Sequence, residues 1–224
     1  MDDDQAKVLR VLTTRGETRA FYNKIAKVYD LLSEKSEEPI RHYGLETLAV
    51  RTGERILEVG FGTGVSLAEM AALVGDQGKV FGVDLAEKML EVARHRLRDR
   101  GLEDRVELAC ADAISLPYKS DSIDAILMSF TLELFDTPEI PVVLSECWRV
   151  LRLGGRIVVI SISKGGEPVA IRKIFEWTHQ HFPNFLDCRP IYAERSMKAA
   201  GFEIENAQQK SMWVPVEIVL GRKA

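Results

Sequence analysis

An α/β fold, built on a parallel sheet with helices on both faces, is predicted by this 224-residue sequence. Three observations carry that prediction. Short apolar runs alternate with amphipathic helical stretches from residue 55 onward. One run passes directly into Gly60-Phe61-Gly62-Thr63-Gly64, a turn where the absence of side chains lets backbone approach a ligand closely. Residues 156–162 are nearly all apolar, as strands buried on both faces are.

Residues 5–52 lack strand-like alternation and read as helices. Phe21, Ile25, Val28, Tyr29 and Leu32 recur at helical spacing in one amphipathic stretch. Pro39 is expected to break that stretch, with a further helix over 40–50. Residues 1–44 are therefore read as a helical lid or extension, and 45–224 as the main domain. There, Arg55–Val59 is a strand and Val65–Val74 the helix after the glycine turn. Residues 79–83 form a second strand ending at Asp84. Residues 87–100 form a helix with Met89, Leu90, Ala93 and Leu97 on one face, closed by Gly101. Val106–Cys110 and 123–128 are the third and fourth strands, 142–151 a helix stopped by Gly154-Gly155, and 156–162 the fifth strand. A helical insertion at 165–190 then changes the rhythm, with a helix over 168–180 and a connector holding Pro183 and Pro190. Residues 191–200 read as a helix closed by Gly201, and 202–208 and 212–220 as a final antiparallel pair.

Composition narrows the function classes. With 46% hydrophobic and 29% charged residues the chain is expected to be globular, and its net charge of −4 offers no basic field for a nucleic acid. Cys110, Cys147 and Cys188 are too few and too scattered for a disulfide framework or a zinc site, and no metal is expected. The acidic start is unlike a signal peptide, and no apolar window of ~18 residues is present. The expectation is a cytoplasmic protein, monomer or homodimer, without a transmembrane segment and with peripheral membrane contact left open.

Three acidic positions accompany the glycines. Glu58 lies two places before Gly60, which suits the cationic amino-acid end of a cofactor better than two phosphates. Val65 stands where the dinucleotide fingerprint needs its third glycine. Asp84, at the end of the second strand, can accept both hydroxyl protons of a ribose. Asp112, after the third strand, can accept from the exocyclic amine of an adenine.

Together these pieces resemble the class I S-adenosylmethionine-dependent methyltransferases. The matching segments are ILEVGFGTG (56–64), VFGVDLAEKML (80–90), CADAISLPYKSDSIDAIL (110–127) and VLRLGGRIVVI (150–160), in the family's order and spacing. The resemblance implies a Rossmann-like seven-stranded, mostly parallel sheet whose last strand is antiparallel. It implies that Glu58 and the turn Gly60, Phe61, Gly62 and Gly64 surround the methionine part of S-adenosyl-L-methionine. Asp84 would hold the ribose, Leu85 would lie beside the adenine, and Asp112 and Ala113 would form the adenine pocket. Ser129–Glu133 would border the sulfonium and the substrate. Within that superfamily the chain looks most like the C-methylases of ubiquinone and menaquinone precursors, through Ile25-Ala26-Lys27-Val28-Tyr29-Asp30 and Leu116-Pro117. It departs from them at Ser129-Phe130-Thr131-Leu132-Glu133, where an Arg-Asn-containing segment is usual.

The reading is thus a methyltransferase acting on a small or lipid-like acceptor, with a quinone precursor methylated at carbon as the leading candidate. The alternatives are an NAD-dependent oxidoreductase and a non-catalytic protein that binds an adenosyl ligand. On the acceptor side, His179 can deprotonate a phenol or enol, its unperturbed pKa lying near ~6.5, and Arg189 can hold an anionic oxygen. Glu133 is the third catalytic candidate. Tyr22, Tyr29 and Trp177 are candidate substrate contacts.

Overall fold

The computed structural model describes residues 8–11, 13–26, 29–165 and 188–224, with the backbone alone for 29–36. Among the described residues seven strands make one sheet: β1 (Arg55–Val59), β2 (Lys79–Asp84), β3 (Val106–Cys110), β4 (Ile123–Ser129), β5 (Leu151–Ile162), β6 (Glu203–Ser211) and β7 (Pro215–Arg222). The described helices are α1 (Arg15–Ile25), α2 (Tyr29–Leu48), α3 (Val65–Val74), α4 (Glu87–Asp99), α5 (Ile140–Val150) and α6 (Ala193–Ala199). The strand order is β3-β2-β1-β4-β5-β7-β6, and β7 runs antiparallel to both of its neighbours. The order reverses between β1 and β4, which opens a crevice at the carboxyl ends of the strands.

Burial follows from the alternation of side chains along each strand. Leu57, Val59, Ile126 and Met128 pack on one face with α5 and α6. Ile56, Leu127, Val158 and Ile160 pack on the other with α2, α3 and α4. In α4, Met89, Leu90, Ala93 and Leu97 are buried as their spacing requires.

Three expectations change. α2 runs unbroken through Pro39. One missing N–H bond is outweighed there by Ile40, Leu45 and Leu48 packing into the core. The apolar stretch from Phe21 to Leu32 is divided between two helices, α1 ending at Ile25 and α2 beginning at Tyr29. β5 starts at Leu151, before the two glycines, and Gly154-Gly155 lies inside it at a shift of register against β4. The helix expected over 168–180 lies outside the described residues.

One buried ion pair fastens the helical extension to the sheet. Arg156 of β5 donates from Nη1 and Nη2 to the two Glu54 oxygens, each at 2.8 Å. It also donates to the carbonyls of Leu48 and Ala49 at the end of α2. The guanidinium thereby satisfies the last carbonyls of that helix, which have no partner within it.

Candidate functional site

Four strand ends, α1 and the start of α4 border a cleft that holds about 730 Å³, part of it open to solvent. Gly60 and Gly62 follow β1, Asp84 and Leu85 end β2, Asp112 and Ala113 follow β3, and Ser129 ends β4. These seven are the sequence-predicted cofactor residues that line the cleft.

The glycines serve two different purposes. Gly60 has φ +74°, and a Cβ there would overlap the side chain of Thr131, on the segment leaving β4. Gly62 has φ +54°, and a Cβ there would meet nothing within 4 Å, because it would enter the cleft. Gly60 is thus required by the protein's own packing, whereas Gly62 leaves room for a ligand.

Asp84 is fixed by backbone donors. Its Oδ2 accepts from Gly62 N–H and its Oδ1 from Ala86 N–H, both at 2.9 Å. Burial pushes its pKa up to about 6, against the pull of those hydrogen bonds. The carboxylate is therefore mostly ionised at neutral pH, and each oxygen keeps lone-pair capacity for a ligand hydroxyl.

The other members of the turn point elsewhere. Glu58 is buried on the α2/α3 side of β1 and is not in the cleft lining. Burial holds its carboxyl well above the ordinary range, opposed by a hydrogen bond from Ser66, and among the described residues its Oε2 has no hydrogen-bond partner. The Phe61 ring packs in the core, close to Gly82 of β2. Gly64 lies against Ala93 of α4.

α1 crosses the cleft and supplies Arg15, Thr18, Arg19 and Tyr22 to its wall. Its start is fixed by a capping box between Thr14 and Glu17. Arg15 Nε lies 3.2 Å from Asp112 Oδ2, and its Nη2 lies 3.0 Å from Glu139. Asn23 and Arg19 donate to Glu87, and Asn23 Oδ1 accepts from Lys88 N–H at 2.9 Å. α4 has no side-chain cap of its own, so α1 caps it. Of these groups the sequence reading picked out Tyr22 alone. Residues 15, 18, 19 and 22 nonetheless share one helical face, a signal that a search for apolar spacing passes over.

The segment after β4 closes the cleft. Phe130 takes a left-handed conformation, φ +48°, uncommon for an aromatic residue. That turn brings Thr131, Leu134 and Phe135 into the lining. Glu133 and Arg189 are placed behind this wall with no exposed surface, so neither faces the cleft. Burial raises Glu133 to about 8 and lowers Arg189 to about 10. His179 and Trp177 lie outside the described residues, as does the side chain of Tyr29.

These features suit an adenosyl cofactor: a fixed carboxylate at the end of β2, apolar Leu85 and Ala113 beside it, and an open position at Gly62. Among the described residues no helix is long and apolar enough to cross a membrane.

Comparison with known proteins agrees with this geometry. The model of the ubiE/COQ5 methyltransferase family matches residues 12–188. A ubiquinone/menaquinone biosynthesis C-methyltransferase UbiE from Teredinibacter turnerae is 35% identical over 147 residues, 64% of this chain and 58% of the relative. One of the same description from Yersinia enterocolitica is 33% identical over 153 residues, 66% of this chain and 60% of the relative. The match thus spans less than two thirds of these relatives' length. In fold, the chain superposes on the [4+2]-cyclase SpnF with a TM-score of 0.76 at 19% identity, covering 96% of this chain and 98% of the other. It also superposes on geranyl diphosphate C-methyltransferase from Streptomyces coelicolor A3(2), in complex with S-adenosyl-L-homocysteine, with a TM-score of 0.68 at 16% identity, covering 84% and 81%.

Proposed function

The chain belongs to the ubiE/COQ5 methyltransferase family, and from that premise we propose that it transfers a methyl group from S-adenosyl-L-methionine to a carbon of a quinone-type precursor. The observation that carries the reading is the meeting of Gly62, Asp84, Asp112 and Ser129 in one cleft at the carboxyl edge of the sheet. When bound, the cofactor supplies an activated methyl group and leaves as a neutral thioether.

The residues then have distinct tasks. Asp84 accepts from the ribose hydroxyls while Gly62 and Ala86 hold the carboxylate in place. Leu85 and Ala113 flank the adenine, and Asp112 accepts from its amine, sharing that carboxylate with Arg15. Ser129, Thr131 and Tyr22 line the cleft, where the first two would border the transferred methyl and Tyr22 on α1 would shield it from water. The donor is already activated, so positioning supplies most of the catalysis. The acceptor ring releases a proton as its carbon takes the methyl, and His179 is the candidate base. Trp177 and Tyr29 are candidate contacts for its apolar body. A lipid-like acceptor remains part of this proposal, as do a monomeric or homodimeric state and peripheral contact with a membrane.

The family match points away from the dinucleotide reading, and Val65 in place of the third fingerprint glycine already weighs against it. Calorimetry with S-adenosylmethionine, S-adenosylhomocysteine and NAD tests the cofactor. Binding of the first two and not the third is expected; binding of NAD alone would overturn the proposal.

A further inference from the structure

The segment that leaves β4 is gripped from outside the sheet. Arg189, fully buried in the connector before α6, donates from Nη2 to the Phe135 carbonyl at 2.5 Å. Among the described residues its Nε and Nη1 have no hydrogen-bond partner. On the neighbouring residue, Arg10 Nε donates to both Asp136 oxygens at 2.8 and 2.9 Å, and Val11 N–H donates to the same carboxylate at 3.2 Å. Arg15 places its Cζ 4.4 Å from the centre of the Phe135 ring. Glu133 accepts the Ile162 N–H at 3.1 Å, which ties the segment to the end of β5. Three arginines, two from the N-terminal segment and one from the connector before α6, thus meet at Phe135-Asp136.

Burying a guanidinium with two idle nitrogens is costly, and an apolar side chain of similar volume is often the more stable choice. Arg189 therefore reads as a residue kept for what it holds. It holds the backbone of a residue whose ring lines the cofactor cleft.

We propose that Arg189 and Arg10 are positioning residues: by fixing Phe135-Asp136 from two sides, they set the cleft wall formed by Ser129, Thr131 and Phe135. This rests on the functional reading, since that wall is where the proposed methyl donor lies. The arginines do not touch the cofactor; they act through the Phe135 carbonyl and the Asp136 carboxylate. One of them, Arg189, lies near the end of the 165–190 stretch that the sequence marks as an insertion.

The test compares the intact wild-type chain with Arg10→Met, Arg189→Met and Arg189→Lys, reading S-adenosylhomocysteine affinity by calorimetry and Tm in parallel. Each methionine variant is expected to bind about tenfold more weakly, the cost of ordering on binding a wall that is no longer held in place. Arg189→Lys can still donate to the Phe135 carbonyl and is expected to recover part of that loss. Arg10 is exposed, so its variant is expected to fold even where Arg189→Met does not. Wild-type affinity in folded Arg10→Met and Arg189→Lys would overturn the proposal. So would a fall in Tm and affinity with Arg189→Met that lysine leaves unrelieved. A wild-type chain that binds S-adenosylhomocysteine but transfers no methyl would instead overturn the functional reading and leave this positioning role standing.

Discussion

The two sides of the cleft are built by different means. On the β1–β2–β3 side, each ligand-facing group sits at a strand end or in the turn that follows it, and backbone N–H groups lock Asp84 in place. On the β4–β5 side, the wall is an irregular segment held by Arg10, Arg15 and Arg189 from distant parts of the chain. A site made from strand ends depends on local geometry, and its chemistry is written in short motifs. A site made from long-range clamps can vary its sequence while keeping the sheet, so that side is suited to choosing the acceptor.

The sharpest test of this contrast removes a strand-end carboxylate. Asp84→Ala is expected to weaken S-adenosylhomocysteine binding by roughly 100-fold, the worth of two hydrogen bonds to a charged acceptor. Calorimetry checks it, and an unchanged affinity would remove Asp84 from the ribose site. The next largest effect separates two glycines of one turn. Gly60→Ala is expected to cost about 2–4 kcal/mol of stability, from its collision with Thr131 and its positive φ together. Gly62→Ala is expected to cost only about 1 kcal/mol, from φ alone, yet to weaken cofactor binding. Denaturant unfolding and calorimetry on both variants would break the contrast if the two residues behaved alike.

A smaller, graded effect comes from pH. Asp84 titrates at about 6 in the folded protein because of its burial, against ~3.9 for an ordinary aspartate. In the role proposed for Asp84 the ribose hydroxyls need the ionised carboxylate, so affinity should fall as pH drops through 6, by up to about tenfold per unit. The unliganded fold should respond in the opposite direction. Between those two values it holds a proton that the unfolded chain releases, so this group adds stability as pH falls. Binding that strengthened below pH 6 would contradict the assignment.

How much of this was legible in the sequence follows the same division. Gly60, Gly62, Asp84, Leu85, Asp112 and Ala113 were found because each is adjacent in sequence to the strand that positions it. The seven-stranded, mostly parallel sheet and its antiparallel last strand followed from the resemblance and from the apolar runs, whereas the strand order came from the structure. Pro39 misled, because its local cost is smaller than the burial gained along α2. Glu58 and Phe61 were assigned to the ligand by motif, yet their side chains turn toward the interior. Arg15, Thr18 and Arg19 were passed over because they are polar residues on a helix. The left-handed Phe130 and the grip of Arg189 on Phe135 had no local signal, since they arise where the chain folds back on itself.

The central claim is that this cleft delivers a methyl group to carbon. Methyl-labelled S-adenosylmethionine, the intact chain and a prenylated quinol lacking the ring methyl, followed by mass spectrometry of the product, test it directly. The account predicts label fixed on a ring carbon, with loss of that signal in Asp84→Ala. Label on oxygen, or no transfer from a chain that binds the cofactor, would contradict it.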